Sequence, residues 1–242
     1  MGAFFLFFGF FAFNGGTLGQ ITEAGNGQTV ARSVMITVIA GSFGAVTASF
    51  PEWVRTKKLR MGLVLNGALT GMVAICTSCN KLEPWAGMVI GAIGGLVYVL
   101  TSKSVLACRV DDPLDAFAVH FGGGLWGVLA GPFFNGTHGI LYYWSLYSFK
   151  KLGWNVLGIT VIILWNVILC SLTFIALHLC NILRVSPELE AKGLDIAKHG
   201  EPAYPLSAYG HGWTESEDSS TAVSLRIRVK KWQTANSVNN NH

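Results

Sequence analysis

The feature that most limits how this chain can fold is an uncharged stretch in its middle. From Ala116 to Phe134 no acidic or basic side chain occurs except His120. The stretch is about 20 residues long and an α-helix rises about 1.5 Å per residue, so it can cross the hydrocarbon core of a bilayer. The sequence therefore predicts a membrane-spanning helix with one ionisable group inside it.

The residues before this stretch are typical of a helix start. Asp112 is suited to the N-cap position, Pro113 to the first helical position, and Asp115 to the acidic position of a capping box. Both carboxylates would also face the positive end of the helix dipole. We therefore expect structural, capping roles for Asp112 and Asp115.

Glycines recur at every fourth position along three of the predicted spans. In the histidine-containing span they are Gly123, Gly127 and Gly131, and two earlier spans carry the series Gly67/Gly71 and Gly87/Gly91/Gly95. A stripe without side chains lets two membrane helices approach backbone to backbone. We expect these spans to pack closely against their neighbours.

The interpretation of His120 depends on the surroundings of its helix. In a soluble core, a histidine bonded to a nearby carbonyl would be the more common reading. In a membrane, an ionisable group far from the interfaces is expensive and usually lines a polar path. Composition favours the membrane: 51% of the 242 residues are hydrophobic, only 12% are charged, and 29 are glycine.

Composition and cysteine spacing also exclude several classes of function. The net charge of +4 comes mostly from connecting segments and the tail, so it concerns membrane topology and not nucleic acid. Cys76 and Cys79 have zinc-like spacing, but no second pair or nearby histidine completes four ligands. We predict no metal site, no cofactor, and no catalytic residue.

The chain as a whole predicts an all-α, polytopic membrane helix bundle. The apolar spans are too long for barrel strands and lack period-two alternation. We expect three regions: a transmembrane bundle over 1–182, a cytosolic regulatory tail over 183–204, and a disordered cytosolic extension over 205–242. The predicted spans number about six and cover approximately residues 3–19, 30–50, 61–77, 85–100, 116–134 and 155–182.

Basic residues indicate how the bundle is oriented. The segments after the second, fourth and sixth spans hold seven Lys or Arg residues, whereas the opposite segments hold four. The first set is Arg55, Lys57, Lys58, Arg60, Lys103, Arg109 and Arg184, and the second is Arg32, Lys81, Lys150 and Lys151. This excess predicts a cytoplasmic C-terminus in a multi-pass membrane protein, with the plasma membrane as the expected location.

Three stretches, in order along the chain, resemble the ammonium transporter family. Residues 109–127, with the run Asp-Asp-Pro-Leu-Asp and His120, resemble its tenth transmembrane segment. Residues 7–17 resemble its sixth segment, and residues 183–204 resemble its cytosolic tail. The resemblance, to the Amt branch more than the Rhesus branch, implies segments six to eleven: the second inverted repeat, the final helix and the tail.

The resemblance also implies roles for individual residues. His120 matches one of two histidines that line a hydrophobic pore, and Phe13 matches one of two stacked phenylalanines that close it from outside. Thr17 stands where a serine hydroxyl helps to hold ammonium in the outer vestibule, whereas Phe10 replaces a tryptophan. Asn14, between them, is expected to be structural. In the tail, Ala197 replaces a regulatory threonine, and the matching positions are Gly193, Asp195, His199 and Gly200.

The function implied is transport of ammonium or ammonia, in a lipid bilayer and as a homotrimer. The first pore histidine belongs to the family's first repeat, so this chain would act as part of a longer chain or an oligomer. The alternative is a truncated, non-transporting protein that associates with full-length transporters and modulates them. An enzyme is not expected, because Asp115 and His120 would lie about 140° apart around an α-helix.

Overall fold

A computed structural model describes residues 1–205 of the chain, and every regular element among those residues is helical. This confirms the predicted all-α class. Single turns of other helix types occur at Cys79–Lys81, Phe117–Gly122 and Asp195–His199. The α-helices are α1 Gly2–Gly16, α2 Asn26–Thr56, α3 Met61–Ala74, α4 Pro84–Ala107, α5 Gly123–Phe134, α6 Leu146–Leu179 and α7 Pro187–Lys192.

An apolar helix lies at each of the six predicted spans, but the spans differ in length. Four are long and apolar enough to cross a membrane: α2, α4, α6, and Phe117–Phe134, which we call the histidine helix. The other two, α1 and α3, have 15 and 14 residues. At about 1.5 Å per residue they extend only about 21–23 Å, less than the usual hydrocarbon thickness.

Several helices continue beyond the apolar runs that predicted them. The second and sixth spans were predicted to begin near residues 30 and 155, whereas α2 begins at Asn26 and α6 at Leu146. Arg55, Lys103 and Lys150 therefore lie inside helices and not in connecting segments. The apolar run marks only the part of a helix in hydrocarbon, since long basic side chains let the helix continue into the interface.

Close approach at glycines joins α3 and α4 to α2, as the stripes predicted. A β-carbon added at Gly71 of α3 or at Gly91 of α4 would collide with the same group, the backbone carbonyl of Ala40 in α2. The core there is built from small and branched side chains such as Ala40, Ile36 and Ile90, all fully buried. Helix α2 is therefore the element on which α3 and α4 meet.

The histidine helix packs on α3 through its own glycines. A β-carbon at Gly127 would collide with the backbone of Ala74, the last residue of α3. Two side-chain hydrogen bonds fix the helix further: Trp126 Nε1 donates to the Ile90 carbonyl at 3.0 Å, and Asn155 Nδ2 of α6 donates to the Val128 carbonyl at 2.9 Å.

Two compact units can be distinguished among the described residues, Met1–Asn166 and a second unit that begins at Val167. The first holds α1 to α5, the histidine helix, and the start of α6. The second holds the end of α6, α7 and the turn Asp195–His199. The predicted boundaries of the bundle and the tail, at residues 182 and 204, stay a prediction. Of the extension expected at 205–242, all residues after 205 lie outside the described part of the chain.

Candidate functional site

The histidine helix begins later than the sequence predicted. Pro113 and Leu114 form a turn, and regular helical structure begins only after Asp115, which has a left-handed backbone with φ of 56°. Asp112 still serves the helix start, because its two carboxylate oxygens accept the N–H groups of Ala116 and Phe117, each at 2.9 Å. The predicted helix start at Pro113 was therefore wrong, whereas a capping contact from Asp112 is present.

The capping-box role of Asp115 was also wrong. Its carboxylate points away from the helix start and accepts hydrogen bonds from two hydroxyls of α4: Tyr98 at 2.8 Å and Ser102 at 2.7 Å. The side-chain amide of Asn66 in α3 approaches the same carboxylate at 3.5 Å. These contacts with other helices hold Asp115 in a conformation that a capping box does not have.

His120 lies in the middle of a π-helical turn, Phe117–Gly122. Its neighbours Ala118 and Val119 are buried, whereas His120 is exposed together with the stacked rings of Phe117 and Phe121, whose centroids are 4.6 Å apart. Within residues 1–205 no hydrogen bond, ion pair or ring contact engages its imidazole. Both ring nitrogens are therefore open to a ligand.

Phe13 and Thr17 lie one turn apart near the end of α1. The Phe13 ring is 62% exposed and meets the edge of Phe10, with centroids 6.5 Å apart. The Thr17 hydroxyl donates to the Phe13 carbonyl at 2.5 Å, a bond that helical threonines commonly make to the preceding turn. Because its proton is used there, the Thr17 oxygen can present lone pairs to a cation.

Asn14 anchors this end of α1 in the first unit. It is 2% exposed, and its Nδ2 donates to the Thr37 hydroxyl of α2 at 3.1 Å. The Cys79 thiol donates to the Asn14 carbonyl at 3.7 Å, and the Asn14 side-chain oxygen has no partner among the described residues. Thr37 of α2 and Cys79 of the turn Cys79–Lys81 were not identified from the sequence as partners of Asn14, because only the packing of the helices brings them together.

The two groups of proposed pore residues approach one another only through apolar packing. Phe7 and Phe10 of α1 pack against the buried cluster that contains Ala118 and Val119, the residues just before His120. Among the described residues, no direct contact joins the His120 imidazole to Phe13 or Thr17.

In the second unit, the tail motif uses its glycines for backbone geometry. Gly193 and Gly200 have φ of 89° and 76°, values that side-chain-bearing residues rarely adopt. They flank the turn that begins at Asp195 and ends at His199. A regulatory role for Gly193, Asp195, His199 and Gly200 was expected from the family resemblance, and it stays a prediction.

A short helix, α7, precedes this turn. The Ser186 hydroxyl caps it by accepting the Leu189 N–H. The Arg184 guanidinium contacts Glu190 at 2.6 Å, and its hydrogen bonds and positive charge lower the pKa of Glu190. The tail segment therefore has local structure of its own.

Comparison with known protein families shows which family this helical bundle belongs to. Residues 1–204 match the family model described as the Ammonium Transporter Family. The chain belongs to that family. Among curated members, Putative ammonium transporter 1 of Caenorhabditis elegans is 40% identical over 245 residues, covering 95% of this chain and 46% of that protein. Ammonium transporter 1 member 1 of Solanum lycopersicum is 31% identical, covering 84% of this chain and 46% of that protein.

Solved structures agree on the polytopic helical fold. A protein described as Sensor Amt Protein superposes with a TM-score of 0.72 at 31% identity, covering 81% of this chain and 47% of that one. Saccharomyces cerevisiae Mep2 superposes with a TM-score of 0.68 at 24% identity, covering 77% and 43%, which shows the fold alone. The chain spans about half the length of the curated relatives it matches. Those relatives are named as transporters, in agreement with the expectation that this chain is not an enzyme.

Proposed function

We propose that this chain forms part of a transmembrane path for ammonium and ammonia, with His120 as the polar group inside the path. One observation carries the proposal. In a member of the Ammonium Transporter Family, the one ionisable side chain of an uncharged helix is exposed, has no partner among residues 1–205, and belongs to the same helical turn as two exposed, stacked phenylalanines. A histidine that only stabilised the helix packing would be expected to be buried and to have a bonded partner.

The chemistry of the substrate explains why an imidazole among apolar side chains is suitable. A dry, apolar path rejects ammonium, because an unpaired buried ion costs far more than a neutral polar molecule. Ammonia remains after a proton is lost, and it needs a donor or acceptor on its way, which a neutral imidazole provides. Potassium has no proton to lose, so the same path excludes it.

Phe13 and Thr17 are proposed to act earlier, at the outer entrance. An exposed aromatic face attracts a small cation, and the Thr17 oxygen adds a weak acceptor. Such contacts concentrate ammonium without holding it tightly, which a transport path requires. Phe13 would also narrow the entrance.

The described residues do not enclose the proposed path, since His120 and Phe13 are both exposed. We infer that further membrane helices, of the same polypeptide or of another copy, cover this face in a homotrimer. The tail is proposed to be cytoplasmic, and the membrane to be the plasma membrane. The comparisons give no support to the alternative of a non-transporting modulator.

The test is His120→Ala in the intact transporter, expressed in cells that lack their own ammonium uptake. We expect uptake of labelled methylammonium per molecule at the membrane to fall by about tenfold or more, because losing the imidazole leaves a desolvated substrate unpaired. His138→Ala is the matched control, since His138 is also exposed but lies in a connecting segment against Tyr147. Normal abundance with unchanged uptake and unchanged selectivity over potassium would refute the role of His120.

A further inference from the structure

The carboxylate of Asp115 joins three helices at the start of the histidine helix. Its Oδ2 accepts the Tyr98 hydroxyl at 2.8 Å, and its Oδ1 accepts the Ser102 hydroxyl at 2.7 Å. Asn66 of α3 adds its Nδ2, 3.5 Å from Oδ2 and 3.2 Å from the backbone carbonyl of Leu114. Both oxygens are thus engaged, and the partners come from α3 and α4.

The partners of Asp115 are themselves fixed. Tyr98 is 1% exposed and belongs to the apolar cluster that contains Val119 of the histidine helix. Its hydroxyl also lies 3.3 Å from the Asn66 amide. Without Asp115 the buried Tyr98 hydroxyl could still accept from Asn66, but its own proton would be left desolvated and without an acceptor, so the Tyr98–Asp115 bond constrains both residues.

The backbone of Asp115 carries this constraint into the histidine helix. Its φ of 56° lies in the left-handed region, which is uncommon for residues other than glycine and which Asp adopts more readily than most. Its carbonyl accepts the N–H of Val119 at 2.9 Å, next to His120. The carboxylate is therefore bonded to α4 while the carbonyl of the same residue opens the turn that holds His120.

We propose that Asp115 is a positioning residue for His120: its bonds to Tyr98, Ser102 and Asn66 set the rotation of the π-helical turn, and hence the direction of the imidazole. This inference rests on the proposed role of His120 in transport. A π-helical turn holds one more residue per hydrogen-bonded ring than an α-helical turn, and such turns are uncommon. Without its anchor the turn can relax to the α-helical pattern, and His120 then rotates relative to α3 and α4.

The direction of residue 120 can be measured without any transport. In a background in which the five native cysteines are replaced by serine, H120C introduces one thiol at the position of the imidazole. Its rate of modification by a small methanethiosulfonate reagent, in membranes from the expressing cells, reports how accessible that position is. This background is then combined with Tyr98→Phe or with Ser102→Ala, each of which removes one donor to Asp115.

Ser104→Ala is the matched control. Ser104 lies on α4 two residues from Ser102, but its hydroxyl donates to the Leu100 carbonyl at 2.8 Å and not to Asp115. Ser102→Thr keeps a hydroxyl and should restore the parental rate. We expect Tyr98→Phe and Ser102→Ala to change the modification rate about tenfold, as for a lost hydrogen bond to a charged group, and Ser104→Ala to leave it unchanged.

A second measurement separates this proposal from the proposed function. With His120 restored, Tyr98→Phe and Ser102→Ala should lower the maximal uptake rate per molecule while the half-saturating concentration stays the same. Unchanged modification rates, with only the abundance of the protein reduced, would overturn the positioning role. Altered modification rates with unchanged uptake would instead refute the role of His120 in transport and leave the anchor standing.

Discussion

The contact between α3 and α2 at Gly71 gives a prediction whose size can be worked from the structure. A β-carbon at Gly71 would lie 2.8 Å from the Ala40 carbonyl carbon, 3.2 Å from the Gly41 α-carbon, and still closer to the Ala40 oxygen. All three are backbone atoms, so no side chain can rotate away. Helix α2 cannot shift towards α4 either, because Gly91 approaches the same carbonyl from that side.

Gly71→Ala must therefore separate α3 from α2. Overpacking of this kind costs typically about 1–3 kcal/mol, and the lack of any flexible neighbour places Gly71 near the upper end. Alanine regains about 1 kcal/mol through its higher helix propensity, which leaves a net loss of about 2 kcal/mol. For a chain of this size, that loss corresponds to a fall in Tm of about 4–8 °C.

Gly62→Ala provides the control within the same helix. Nothing lies within 4 Å of a β-carbon added at Gly62, so this variant keeps the propensity gain without the collision. The assay heats the detergent-solubilised protein and measures the fraction that remains monodisperse on size-exclusion chromatography. Equal stability of Gly71→Ala and Gly62→Ala would contradict a collision of the added methyl group with α2.

Three further predictions concern the entrance, the orientation and the tail. Thr17→Val should raise the half-saturating concentration for labelled methylammonium about fivefold, the effect of one neutral hydrogen bond of ~1 kcal/mol. Phe13→Ala should reduce discrimination against larger alkylammonium ions. Unchanged uptake in both variants would contradict the assignment of these residues to the entrance. Variants that keep only Cys108 or only Cys180 should be modified by an impermeant maleimide from the cytoplasmic side, and modification from opposite sides would contradict the topology. The Arg184 contact lowers the pKa of Glu190 from its ordinary 4.5. The stabilisation of the tail by this contact is therefore present above pH 4.5 and is lost as the pH falls through the lowered pKa. Hydrogen exchange of the Leu189 amide would report the loss.

The helical architecture could be predicted because it depends on patterns that the sequence shows directly. Uncharged runs of sufficient length predict membrane helices, and glycine at every fourth position predicts which face of a helix meets its neighbour. Gly71, Gly91 and Gly127 all lie at such faces. The ends of the helices were less predictable, because α2 and α6 continue past their apolar runs into segments that hold basic residues.

The start of the histidine helix could not be predicted from local spacing. Asp112, Pro113 and Asp115 fit a capping box, and local rules would begin an α-helix there. Asp115 instead has a positive φ, and the histidine helix begins with a π-helical turn, because the Asp115 carboxylate accepts hydrogen bonds from the hydroxyls of Tyr98 and Ser102. Those partners are 17 and 13 residues away, on another helix, and no spacing rule identifies them.

The two parts of the candidate site share one construction, in which an exposed side chain lies near a residue that is bonded to another helix. His120 and Phe13 are exposed, whereas nearby residues of the same segments, Asp115 and Asn14, are bonded to neighbouring helices. A transport path needs this division, because side chains that meet a passing substrate must bind it weakly and still stand in a fixed place. The exposed residues are recognisable because their chemistry suits the substrate. Asn14 and Asp115 were expected to be structural, but the distant partners through which they act, such as Thr37 and Tyr98, become identifiable only once the helices are packed.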